Sequence, residues 1–71
     1  MIEGWGKEYW SGRGERIASY YIGGREAGFV MSDPGSGMAS AWTVSNSGYE
    51  FAGSRIEFEA ARRILEKAIR K

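Results

Sequence analysis

Three short turns divide most of this chain into extended runs, and their lengths constrain the fold more than any other feature. The turns are residues 23–24, 33–37 and 45–48, and each contains glycine. Each has the length and composition of a β-hairpin loop. The runs that they separate are residues 17–22, 25–32, 38–44 and 49–52. Consecutive hairpins of this kind predict an antiparallel β-meander of three to four strands.

The longest of these turns, residues 33–37, is rich in glycine but lacks the pattern of a phosphate-binding loop. A P-loop requires Lys and then Ser or Thr directly after its last glycine, but Met38 and Ala39 follow Gly37. A dinucleotide-binding loop would need a glycine where the chain has Ser40. The residues that follow have the composition of a strand rather than of a helix. We therefore interpret the turn as a hairpin loop.

The C-terminal part of the chain predicts one amphipathic helix. Ser54 and Glu57 have the spacing of a capping box, which predicts that a helix begins at Arg55 and lies within residues 54–70. Apolar residues recur there at three- and four-residue spacing: Phe58, Ala61, Leu65 and Ala68. The predicted fold class is α+β, with an antiparallel three- to four-stranded β-meander (16–52) followed by one C-terminal α-helix packed on one sheet face. We expect a single small domain over residues 1–71, of which residues 1–15 are an aromatic N-terminal segment.

Composition argues against several function classes. The chain has neither cysteine nor histidine, so the common nucleophile–base pairs and most transition-metal sites are not available. The carboxylates show no spacing that would bring two of them to one site. We expect no enzymatic activity, no metal and no cofactor. The chain shows neither a long apolar run nor a signal peptide, which favours a cytoplasmic protein without membrane contact.

Strand alternation and loop length predict which side chains share a face of the sheet. With a two-residue first turn and a five-residue second loop, the face that packs on the helix carries Ile17, Val30, Trp42, Val44, Tyr49 and Phe51. The second face carries Ala18, Tyr20, Ile22, Arg25, Ala27, Phe29, Met31, Ala39, Ala41, Thr43 and Glu50. An uncovered face normally alternates toward polar residues. Because this one is mostly apolar, we expect something to cover it.

The sequence leaves two alternatives for what covers this face. The N-terminal segment could fold back through its aromatic residues, or a protein partner could occupy the face. We favour a non-enzymatic protein-interaction module that binds a second copy of itself, as in a homodimer, or binds a larger protein as an inhibitor or adaptor. The predicted partner-binding residues are Tyr20, Arg25, Phe29, Met31, Trp5 and Trp10.

Nucleic-acid binding is the alternative function. Its predicted residues are Arg16, Arg25, Arg62 and Arg63, which would have to lie on one surface. The net charge of only +1 does not favour this function, and basic residues near a helix C-terminus also stabilise the helix dipole.

The order of elements after the N-terminal segment also relates to nucleic-acid binding. A Trp in the third strand, within AWTVSNSGYEF, precedes a helix that carries FEAARRIL. Over residues 20–70 this order of elements resembles the DNA-binding domains of the AP2 kind and the arm-type domains at the start of phage integrases. The resemblance implies a sheet that reads DNA with basic and aromatic side chains.

Overall fold

A computed structural model describes residues 3–70 and shows an α+β fold. Its strands are β1 (Glu3–Trp5), β2 (Tyr9–Trp10), β3 (Arg16–Ile22), β4 (Arg25–Asp33), β5 (Met38–Ser45) and β6 (Gly48–Arg55). One helix, α1 (Phe58–Ile69), follows the strands and packs on the sheet. The predicted fold class and the order of meander and C-terminal helix are confirmed.

The number of strands exceeds the prediction of three to four. All pairings are antiparallel and form one six-stranded sheet in the order β1-β3-β4-β5-β6, with β2 also paired to β3. The two additional strands come from the N-terminal segment. They have only three and two residues, which is too short for an alternation of apolar and polar residues to reveal them. The long β3 beside them supplies the hydrogen-bonding edge that makes them strands.

The predicted assignment of side chains to faces holds for Val30, Phe29 and Met31 but is wrong for most of the other residues, because two registers differ by one residue from the expectation. Asp33 pairs with Met38, so the second loop has four residues, and Phe29 lies opposite Trp42 rather than Ala41. Between β3 and β4, a bulge at Ala27 interrupts the register. Since side chains alternate along a strand, a shift of one residue moves a side chain to the other face.

The face that α1 covers is therefore lined by small residues. Its buried side chains are Ala18, Tyr20, Val30, Ala39 and Ala41, which pack against Phe58, Ala61 and Leu65 of the helix. Gly28 marks the closest approach of helix and sheet. A Cβ atom at this position would lie 2.6 Å from Leu65 Cδ1 and 2.7 Å from the carbonyl oxygen of Trp42. A side chain at this position would push the helix off the sheet.

The helix begins later than the capping box predicts. Ser54 belongs to β6 and lies opposite Ser40, so its hydroxyl does not cap the helix. Glu57 is the N-cap residue, with its backbone oxygen 3.2 Å from the amide nitrogen of Ala61 and no hydrogen bond from its side chain to the helix. Pairing with β5 extends β6 to Arg55, beyond the point at which the capping-box spacing predicts the start of the helix. The part of the chain between residues 3 and 70 has no helix with the length and apolarity needed to cross a membrane.

Candidate functional site

The side of the sheet opposite α1 carries a group of large aromatic side chains. Phe29 on β4, Trp42 on β5 and Phe51 on β6 lie opposite one another across adjacent strands. The rings of Trp42 and Phe51 pack edge to face with their centroids 5.2 Å apart, and those of Phe29 and Tyr49 do so with centroids 5.3 Å apart. Met31 lies two residues from Phe29 on the same side. We call these five residues, Phe29, Met31, Trp42, Tyr49 and Phe51, the aromatic face.

The aromatic face is open to solvent in the described part of the chain. Tyr49 is 68% exposed and Phe51 is 54% exposed, while the other three side chains are half-buried. Tyr9 on β2 lies opposite Ile17, and Ile17 lies opposite Met31, so the apolar surface continues to the far edge of the sheet. Side chains of this size are normally buried in a core or an interface.

The strand positions on this side carry very little charge. By register and alternation they hold no lysine or arginine in the described strands. The carboxylates on this side are those of Glu26, near the start of β4, and of Asp33, at its end. Glu26 accepts a hydrogen bond of 2.7 Å from the hydroxyl of Ser19, and Asp33 accepts one of 2.9 Å from the backbone amide of Gly35. Charge on this side is therefore confined to the two ends of β4, and an apolar group can contact the five uncharged residues of the aromatic face without burying a charge.

One polar atom within the aromatic face is left without a partner. Trp42 Nε1 is buried and makes no hydrogen bond to any described residue. A buried donor without an acceptor costs free energy, typically about 1–3 kcal/mol. Trp42 therefore contributes ring area to this surface, whereas its unpaired indole N–H lowers the stability of the fold.

The predicted partner-binding residues divide between the two sides of the sheet. Phe29 and Met31 are part of the aromatic face. Tyr20 is only 5% exposed and contacts the ring of Trp5 edge to face at 5.2 Å, so it cannot anchor a partner. Trp5 also lies on the helix side, where its Nε1 donates a 2.7 Å hydrogen bond to Glu66 Oε2. Trp5 therefore fastens β1 to the helix and does not cover the aromatic face.

Trp10 and Arg25 are both exposed, but at opposite ends of β3. Trp10 lies opposite Arg16 at the start of this strand, and Arg25 lies opposite Ile22 at its end. Neither belongs to the aromatic face. Sequence reasoning missed Trp42, Tyr49 and Phe51, because the expected register placed them beneath the helix. Their only signal was their size, which does not distinguish a core from an interface.

The four arginines predicted to bind nucleic acid differ in their partners and in their positions on the sheet and the helix. Arg16 Nε pairs with Glu8 Oε1 at 2.7 Å, and Arg62 Nη1 lies 3.2 Å from both Glu8 Oε2 and Glu59 Oε2. The hydrogen bond from Arg16, supported by the charges of Arg16 and Arg62, lowers the pKa of the Glu8 carboxyl, while partial burial opposes this shift. The same hydrogen bond raises the pKa of Arg16. Two of the four predicted cations are therefore already neutralised.

Both of these arginines also stack on aromatic rings. The guanidinium of Arg16 lies 4.1 Å from the ring centroid of Phe58, and that of Arg62 lies 4.4 Å from that of Trp5. These contacts join the N-terminal segment to the helix. Arg25 lies about 20 Å from Arg16 along the strands, since six residues separate Arg16 from Ile22. Within residues 3–70 no three carboxylates come together in a metal-binding arrangement.

No protein-family model matches the chain, and neither the curated proteins nor the solved structures searched include a significant match. The resemblance to AP2-type and integrase arm-type domains rests on the order of strands and helix alone. The resemblance implies aromatic and basic side chains on the sheet. The aromatic face supplies aromatic side chains, but the described strand positions on that side hold no basic residue.

Proposed function

We propose that this protein is a small self-associating interaction module, in which the aromatic face of one copy packs against the aromatic face of a second copy. The observation that carries the proposal is the exposure of Tyr49 and Phe51, at 68% and 54%, within a group of uncharged large side chains on one side of the sheet. Contiguous apolar patches on soluble proteins mark interaction sites. Aromatic side chains are also the usual energetic centres of protein interfaces.

The core of the domain does not need these side chains. Val30, Ala41 and Leu65 are fully buried between sheet and helix, whereas the aromatic face lies on the other side of the backbone. The accessible surface of 4953 Å² exceeds by about 500 Å² the area expected for a compact monomer of this mass. A second layer on the open side would remove part of that excess.

A second copy is the partner that the charge distribution favours. In a two-fold symmetric contact each surface meets itself, so a face with a net charge would repel its mate. The five residues of the aromatic face are all uncharged, and their side chains can interdigitate as two sheets pack about 10 Å apart. Binding to a different protein, as an inhibitor or adaptor, would use the same side chains and is an outcome of the test below.

Nucleic acid is the less favoured occupant. Aromatic residues on a sheet can stack with unpaired bases, but such surfaces also place cations along the phosphate backbone. The described strand positions on this side have none, and Arg16 and Arg62 are paired with carboxylates.

The first test compares two exposed apolar residues. Phe51→Asp places a charge on the aromatic face, whereas Ile56→Asp places one at a 77% exposed position outside it. In sedimentation equilibrium over a range of concentrations, we expect the wild type and Ile56→Asp to associate equally. We expect Phe51→Asp to weaken association by about tenfold or more, because charge burial is costly. Thermal unfolding followed by circular dichroism establishes that each variant folds.

Two outcomes would overturn the proposal. One is a wild-type protein that stays monomeric at all concentrations, which would leave the face to a different protein. The other is a monomer whose tryptophan fluorescence changes with short single-stranded oligonucleotides in a strongly salt-dependent way, because counterion release accompanies phosphate binding. The second result would assign the aromatic face to nucleic acid.

A further inference from the structure

The two edges of the sheet differ in how well they are protected from further pairing. One edge is formed by β1 and β2, which have three and two residues and are separated by residues 6–8. Short, broken edge strands are a common protection against pairing with another chain. The opposite edge is β6, which has eight residues and no strand on its outer side among residues 3–70. Its outward backbone groups form the longer pairing edge of this sheet.

A bulge in β6 places two opposite charges on the same side of this edge. Glu50 lies opposite Thr43, and Arg55 lies opposite Ala39. Thr43 and Ala39 are four residues apart on β5 and therefore face the same way, toward the helix side. In a regular strand Glu50 and Arg55, five residues apart, would face opposite ways. The extra residue of the bulge, Ala52, brings them to one side.

Both charged groups are exposed and lack an ionic partner in the described part of the chain. Neither Glu50 nor Arg55 takes part in the ion pairs, which involve the cluster around Glu8. The hydrogen bond of Arg55 Nη1 goes to the backbone oxygen of Ser54. A partner strand could therefore recruit both charges without breaking an existing ion pair.

We propose that β6 pairs antiparallel with β6 of a second copy, so that Glu50 of each copy lies opposite Arg55 of the other. When the bulge residue Ala52 is left out of the count, Gly53 is the midpoint between the two charged residues. A two-fold axis at Gly53 therefore places both charge pairs opposite each other at once. Opposite charges directly across two antiparallel strands stabilise the pairing.

The helices leave room for this contact. Helix α1 contacts β4, β5 and β6, so its axis runs over the middle strand, β5. In the joined sheet, three strand spacings of about 4.8 Å separate β5 from its copy. The two helices would therefore lie about 14 Å apart, which exceeds the usual 8–10 Å of packed helices. This contact goes beyond the proposed function, since it uses the edge of the sheet and leaves the aromatic face free.

Charge reversal tests the edge contact. The variants are made in a Met31→Asp background, which breaks the aromatic face on β4, two strands away from the edge; Met31→Ser replaces it if the aspartate variant does not fold. We expect the background protein to form a dimer in sedimentation equilibrium. Glu50→Arg and Arg55→Glu should each weaken this dimer by about tenfold, because each sets like charges opposite each other.

The decisive measurement mixes the two reversed chains. In an equimolar mixture of Glu50→Arg and Arg55→Glu, every reversed residue meets an opposite charge, so we expect a heterodimer of nearly the background affinity. The matched control is Arg63→Glu, an exposed helix position away from the edge, which should change nothing. A background protein that is monomeric, or reversed variants that dimerise as the background does, would overturn the edge contact. Either result would contradict only the edge contact. Association through the aromatic face is measured separately, with the same charge variants in a chain that keeps Met31.

Discussion

The two sides of the sheet are both apolar, but they differ in the size of their side chains. The helix side has Ala18, Ala39, Ala41 and Gly28 at its centre, so α1 can approach the backbone closely. The open side has Phe29, Trp42, Tyr49 and Phe51. Apart from Tyr20, which Trp5 contacts, small side chains lie where α1 covers the sheet, and large ones lie where the described chain supplies no cover.

This difference shows why hydrophobicity alone did not identify the core. Sequence reasoning assigned Trp42 and Phe51 to the helix side from the expected hairpin register, and the large area that aromatic side chains bury is equally compatible with a core. The helix instead packs where the side chains are smallest, and Leu65 fills the space above Gly28. Large residues left on the open side are then available for an intermolecular contact.

The largest expected effect comes from the helix side. Leu65 is fully buried, so Leu65→Ala should lower the free energy of unfolding by about 3 kcal/mol through lost burial and the remaining cavity. Phe51→Ala, on the open side, should cost about 1 kcal/mol or less, since it removes mainly one ring contact with Trp42. Urea denaturation at a protein concentration below the association range measures both. Equal losses would mean that the aromatic face is part of the folding core.

A smaller loss is expected when the close approach of helix and sheet is blocked. Gly28→Ala should cost about 2 kcal/mol, because the added methyl group meets Leu65 and the Trp42 backbone. Gly12→Ala is the matched control, since a Cβ atom there has no neighbour within 4 Å, and we expect a change below about 0.5 kcal/mol. Thermal unfolding of the two variants gives the comparison. A neutral Gly28→Ala would contradict the tight packing of α1 on β4.

The smallest effect tests the ionic cluster that joins the N-terminal segment to the helix side. Glu8→Gln removes the ion pairs to Arg16 and Arg62 and should cost about 0.5 kcal/mol at pH 7 in this partly exposed site. Glu3→Gln, at an exposed position on β1, should cost less. Urea denaturation at pH 7 measures both variants.

The pH dependence provides an independent check of the same cluster. Because the pKa of Glu8 is lowered in the folded state, the unfolded chain takes up the proton first. This contribution to stability is fully present above the ordinary value of 4.5 and is lost as the pH falls through the lower folded pKa. The wild type should therefore lose more stability than Glu8→Gln in this acidic range. Parallel pH profiles would show that the cluster contributes nothing.

Much of the fold was predictable from local patterns. Three of the long strands, β3, β4 and β5, begin and end within one residue of the predicted runs, because Gly-rich turns and β-branched or aromatic residues act over a few residues. The fourth, β6, extends three residues beyond its predicted run. The helix was predictable from the spacing of Phe58, Ala61 and Leu65, all of which are buried. Its start was not predictable, because Ser54 pairs with Ser40 in the sheet and so cannot act as a cap.

The candidate site was predictable only in its general character. An apolar sheet face in need of a partner was expected, and Phe29 and Met31 were correctly placed on it. Tyr20 was assigned to the wrong side. The ion pairs of two of the predicted arginines were not predictable, because Glu8, which is distant in sequence from Arg62, reaches both it and Arg16. Contacts of this kind depend on the folded chain and leave no local spacing to read.

The sequence by itself determined the α+β class, the four long strands, their turns and the amphipathic helix, because these depend on interactions between near neighbours. Only the tertiary structure decided which face the helix covers. Both faces are apolar, so the alternation of side chains has no polar side to indicate solvent. A loop that is one residue longer or shorter, or a bulge at Ala27 or Ala52, is then enough to move side chains from the face that the helix covers to the open face.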